Sequence, residues 1–106
     1  MRIVLACAAG MSTSMLANNV KIAATERGVD AEVEALSTSA LDEAQWRTAD
    51  VVLVGPQMRH QVPMLTERGA AYGVPVAGIP PQDYATANGQ RVLEQAVALA
   101  ETRKAR

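Results

Sequence analysis

A chain of 106 residues with 49% hydrophobic and 20% charged side chains reads as one globular domain spanning 1–106, with room for a modest core and not for two. A net charge of −1 with no basic run removes the electrostatic drive toward nucleic acid or an anionic membrane, and no segment approaches the roughly 20 apolar residues of a membrane span. A single cysteine makes no internal disulfide and suits a reducing compartment; the N-terminus lacks the pattern of a signal peptide, so the expected location is the cytoplasm.

With no Phe, two Tyr and one Trp, the core must be aliphatic, which favours helices packed on a sheet over an aromatic-rich sandwich. The first strand, about Arg2 to Ala6, is apolar from Ile3 onward, as in the middle of a parallel sheet. A helix is predicted from Ser12 or Thr13 to Arg27, with Leu16, Val20, Ala23 and Ala24 on one face and Gly28 as its stop. Ala31, Val33 and Ala35 then alternate with Glu32 and Glu34, the signature of a half-exposed edge strand. Ser39 and Asp42 have the spacing of a capping box, which predicts a short helix carrying Leu41, Ala44 and Trp46. Val51 to Val54 is a second central strand, closed by Gly55-Pro56. Pro63 fits the first turn of a helix from about Gln61 to Tyr72. Val74 to Ala77 contains Pro75 and is predicted as an edge strand, broken by Pro80-Pro81. The last helix starts near Asn88-Gly89, carries Val92, Leu93, Ala96, Val97 and Ala100 at helical spacing, and ends in a basic tail of Arg103, Lys104 and Arg106.

This alternation calls for an α/β fold with a four-stranded parallel sheet and helices on both faces. Two central and two edge strands give the order 2-1-3-4, the flavodoxin-like layout, with its switch point between strands one and three. Ligands in such sheets bind at the carboxyl ends of the strands flanking the switch. The loop Cys7-Ala8-Ala9-Gly10-Met11-Ser12-Thr13-Ser14 and the loop Gly55-Pro56-Gln57 both fall there. The first is suited to an anion, because its small residues let backbone N–H groups converge where the following helix presents its unpaired first-turn donors. Those donors would also stabilise a thiolate on Cys7.

Taken together, the strand ending in Cys7 to Leu16, the segment Val51 to Gln57 and the closing Asn88-Gly89-Gln90-Arg91-Val92-Leu93 resemble the enzyme IIB component of lactose, cellobiose and chitobiose phosphotransferase systems, along essentially the whole chain. The resemblance implies a phosphoryl relay, in which a histidine of a IIA component phosphorylates the IIB cysteine and a sugar on the membrane IIC component receives the group. Carried over, Cys7 is the nucleophile, Ala8, Ala9, Gly10, Met11, Ser12, Thr13 and Ser14 surround the phosphate, and Gln57 stands beside them. The family often has a tyrosine where this chain has His60, so no role for that position is implied. The sugar does not follow, because relatives serve different β-linked sugars.

The chemistry agrees with a carrier. Phosphoryl transfer is mostly positioning and charge stabilisation, and a thiolate both attacks and leaves readily. Convergent N–H groups meet the phosphate charge without a cation, so neither a metal nor a cofactor is expected. Low-molecular-weight tyrosine phosphatases place an arginine where this loop has Thr13, and without that guanidinium a phosphocysteine should persist. Such a phosphatase, or a thiol-dependent reductase, is the rival on the same fold. A nucleotide or flavin-binding module is a third reading, against which the scarcity of aromatics argues. Plainer roles stand beside the functional ones. Cys7 has a core reading, Ser12, Thr13 and Ser14 have capping readings, and Gly55-Pro56-Gln57 reads equally as a strand-ending turn. Arg59 is a candidate to assist the phosphate or a partner, with a solvated arginine the simpler reading; His60 reads as a surface residue. Met11 and Met15 are candidates for a docking surface, with core filling the safer expectation for Met15.

Overall fold

The computed structural model describes residues 1–8 and 11–104, and the backbone alone at 11–13 and 103–104. Strands β1 (Arg2–Cys7), β2 (Glu32–Ser37), β3 (Val51–Val54) and β4 (Val76–Gly78) alternate with helices α1 (Met11–Glu26), α2 (Glu43–Thr48), α3 (Val62–Ala70), α4 (Pro81–Ala85) and α5 (Gly89–Lys104). The sheet is parallel throughout with order β2-β1-β3-β4, as expected from the apolar and alternating runs. Among the described residues no helix is long and apolar enough to cross a membrane.

Successive side chains of a strand point to opposite faces, and here that alternation divides the core in two. Ile3, Leu5, Val51 and Leu53 face α1 and α5, meeting Leu16, Val20, Val92, Leu93 and Ala96. Val4, Ala6, Val52 and Val54 face the other way, against Trp46 of α2 and Leu65 of α3. Each large aliphatic side chain buried this way contributes about 1.5–3 kcal/mol. The abundance of alanine has its use where α1 meets α5, since Ala17, Ala23, Ala24 and Ala96 are all buried and let the helices approach closely. The approach is close at Gly89, where a Cβ would stand 2.3 Å from the Asn19 carbonyl oxygen.

Several local expectations are corrected. The cap of α2 is Asp42, whose Oδ1 accepts from the Gln45 N–H at 3.1 Å; Ser39 belongs instead to a 3-10 turn over Thr38–Ala40, and Ala44 is exposed. Residues Pro56–Gln61 form a second 3-10 segment, so the helix around Pro63 runs Val62–Ala70 and stops short of Tyr72. β4 starts at Val76 rather than Val74, because the Val74 N–H closes the end of α3 on the Gly69 carbonyl at 2.8 Å. Pro80-Pro81 ends β4 and also opens α4, since Pro81 occupies a first-turn position where its missing N–H costs nothing. Met15 is 67% exposed rather than in the core. The tail residue Arg106 lies outside the described residues.

Candidate functional site at the carboxyl edge of the sheet

β1 runs one residue beyond the predicted Ala6, and that residue is Cys7. As the last member of a central strand it is held by neighbours on both sides, and it is only 2% exposed. On one side it is in register with Ser37, the last residue of β2. On the other, the Gly55 N–H donates to the Ala6 carbonyl at 2.7 Å and carries the β1–β3 ladder past Val54. Cys7 has the parity of Ile3 and Leu5, which assigns it to the face covered by α1 and α5.

Gly55 is placed so that nothing projects from it into this space. A Cβ there would meet Gln57 Oε1 at 3.1 Å and Cys7 Cβ at 3.4 Å, so the two side chains flank the same point. The turn that returns Gln57 toward Cys7 is the start of the 3-10 segment, in which Pro56 occupies the first turn and the Met58 N–H donates to the Gly55 carbonyl at 2.9 Å. Gly55-Pro56-Gln57 is thus a strand-ending turn, and that turn brings the Gln57 side chain toward Cys7. Arg59 and His60 follow in the last turn of that segment, both exposed.

The segment after Cys7 leads directly into α1, which begins at Met11. A helix start presents backbone N–H groups without intrahelical acceptors and the positive end of the helix dipole. Among the expected phosphate contacts, Ala8 is exposed next to Cys7, and residues 11–13 form the first turn of α1. Ser14 follows on the same helix and is exposed. Ala9 and Gly10 lie outside the described residues. Among the described residues no group of three His, Cys, Asp or Glu side chains gathers in the manner of a metal site.

The β2 neighbour of Cys7 is not announced by the sequence. Ser37 lies beside Cys7, and its Oγ is 3.0 Å from Ser39 Oγ. The signal was present in the strand order itself: once β2 pairs with β1 in parallel, its carboxyl end must finish beside the cysteine. The alternating run ended legibly only at Ala35, which left the two further strand residues unread.

The architecture and the sequence lead to the same relatives. Residues 2–95 match the family described as "PTS system, Lactose/Cellobiose specific IIB subunit". The galactose-specific EIIB component of Lactococcus lactis subsp. cremoris is 41% identical over 98 residues, covering 89% of this chain and 91% of that protein. The oligo-beta-mannoside-specific EIIB component of Bacillus subtilis is 38% identical over 98 residues, covering 92% and 94%. Among solved structures, the cellobiose-specific IIB component of Borrelia burgdorferi superposes with a TM-score of 0.79 at 37% identity, covering 97% of this chain and 94% of that one. The chain thus belongs to the lactose/cellobiose-specific IIB family and is a phosphotransferase component of a sugar phosphotransferase system.

Proposed function

We propose that this chain is a cytoplasmic phosphocarrier that takes a phosphoryl group onto Cys7 from a phosphohistidine of a IIA component. It then delivers the group to a β-linked disaccharide-type sugar held by a membrane IIC component. The observation that carries this reading is the placement of Cys7, at the carboxyl end of a central strand and immediately ahead of the start of α1.

In the first transfer the Cys7 sulfur attacks phosphorus, the S–P bond forms and the N–P bond breaks. The N–P electron pair stays with the imidazole, and the proton given up by the thiol ends on that nitrogen. In the second transfer a sugar hydroxyl oxygen attacks phosphorus, the S–P bond breaks with its electron pair on sulfur, and the hydroxyl proton is returned to the thiol. Both steps need a site that stabilises a phosphate dianion without holding it too tightly. The backbone of Ala8, Ala9, Gly10, Met11, Ser12, Thr13 and Ser14 is assigned that role, with Gln57 beside Cys7 on the β3 side. Arg59, two residues beyond Gln57 and exposed, is assigned to partner contact rather than to the transferring group. Thr13 stands where a phosphatase would carry its arginine, which favours a phosphocysteine that waits for its acceptor over one that water discharges. Two of the relatives are specific for β-linked sugars, oligo-beta-mannosides and cellobiose, and a third for galactose; the sugar class proposed is β-linked and its identity is left to assay.

The test is phosphoenolpyruvate-dependent sugar phosphorylation reconstituted with the general phosphotransferase proteins, a cognate IIA component and membranes carrying the cognate IIC component. Wild type is expected to support turnover, and Cys7→Ser to lower it by at least about a hundredfold. Full activity of Cys7→Ser, or turnover of an aryl phosphate by the wild-type chain alone, would overturn the carrier reading.

A further inference from the structure

We infer that Ser37 is an additional phosphate-binding residue: its hydroxyl donates to a phosphoryl oxygen carried on Cys7, while the Ser39 hydroxyl donates to Ser37 and orients it. This rests on the phosphocysteine proposed above.

Three observations bring Ser37 to that position. It is the register partner of Cys7 across parallel strands, which lie about 4.8 Å apart, within reach of an oxygen borne on a phosphorylated sulfur. Val33 and Ala35 of β2 pack with Ile3 and Leu5 on the α1 side of the sheet, so parity assigns Ser37 and Cys7 to that same side. Ser37 also stands at the N-cap position of the 3-10 turn Thr38–Ala40, yet its side chain makes no capping hydrogen bond there. The usual structural use of a serine at a helix start is therefore not the one made of this hydroxyl. Its Oγ instead lies 3.0 Å from Ser39 Oγ, and Ser39 is exposed.

A hydroxyl pair suits the task. Each hydroxyl donates once and accepts, so Ser39 to Ser37 to phosphate forms a continuous donor chain ending on the anion. The pair closes the β2 side of Cys7 as Gln57 closes the β3 side, and Ser37, Ser39 and Gln57 are all uncharged side chains. A neutral enclosure holds the phosphoryl group in place and still lets it go to the next acceptor.

The test measures the phosphoryl-transfer equilibrium between a cognate phospho-IIA component and the full-length chain, with the label located by peptide mapping. Relative to wild type, Ser37→Ala is expected to move that equilibrium about tenfold toward the IIA component and Ser39→Ala about threefold, since a hydrogen bond to a charged group is lost directly in one and indirectly in the other. Ser37→Thr keeps the hydroxyl and is expected to restore the wild-type equilibrium. An unchanged equilibrium in Ser37→Ala, or a loss in Ser37→Thr equal to that in Ser37→Ala, overturns the role of Ser37 and leaves the phosphocysteine intact. Absence of label on Cys7 in the wild-type chain overturns both.

Discussion

Gly55 governs the spacing around Cys7. A methyl group there would stand 3.1 Å from Gln57 Oε1, 3.4 Å from Cys7 Cβ and 3.5 Å from the Ala6 carbonyl oxygen. The nearest of these is the tip of a flexible side chain, so Gly55→Ala is expected to fold with a urea midpoint close to wild type while Gln57 swings away from Cys7. Phosphoryl acceptance should then slow by about tenfold, the scale on which a misplaced positioning group acts. A wild-type rate in stopped-flow transfer from phospho-IIA would remove Gln57 from the site. At this scale the sequence is informative where the proposed chemistry is local: a thiol ahead of a small-residue loop is a candidate from the sequence alone, and the structure places that thiol at the carboxyl end of β1. Ser37 is not such a candidate, because its relation to Cys7 is made by pairing across strands. Met15 departs from the expected core position for a different reason. A helix turns by about 100° per residue, and the buried stripe of Leu16, Val20, Ala23 and Ala24 leaves Met15 well off its centre.

At the scale of elements, α1 is fixed against α5 by contacts between backbones. A Cβ on Gly89 would lie 2.3 Å from the Asn19 carbonyl oxygen, 2.4 Å from the Asn19 carbonyl carbon and 2.8 Å from the Val20 nitrogen. Beside it, Asn19 Nδ2 donates to the Ala87 carbonyl at 2.9 Å, and Ala87 itself adopts a left-handed conformation with φ 49°. Backbone cannot step aside as a side chain can, so Gly89→Ala must separate the two helices. The expected loss is about 2 kcal/mol in urea unfolding, within the usual range for overpacking and against alanine's better helix propensity. A neutral or stabilised Gly89→Ala would contradict the close approach. The order of the strands was legible because burial on two faces leaves continuous apolar runs such as Val51–Val54, while one-sided burial leaves alternation such as Glu32 to Ala35. The short α4 and the two 3-10 segments were not legible. Proline signals an end and a beginning with the same residue, and three-residue turns carry no periodicity to read.

At the scale of the molecule, the carboxyl edge of the sheet gathers Cys7, Ser37 and Gln57, while the second turn of α1 and the first turn of α3 carry the exposed methionines Met15 and Met64, 67% and 41% accessible. Unbranched thioether side chains adapt to more than one surface, which would suit the proposed relay, in which the chain would meet a donor and an acceptor in turn through modest, transient interfaces. Met15→Asp is accordingly expected to raise the KM for the phospho-IIA donor by about tenfold with kcat unchanged, the mark of lost binding without lost chemistry. A fall in kcat at constant KM would place Met15 with the chemistry instead. The central claim, that the relay passes through a phosphocysteine, is tested most directly by intact mass spectrometry of the chain after incubation with phosphoenolpyruvate, the general phosphotransferase proteins and a cognate IIA component. The expected result is one added phosphate, located on Cys7 and lost in Cys7→Ser. No added phosphate from a demonstrably competent donor, or a phosphate on any other residue, would contradict it.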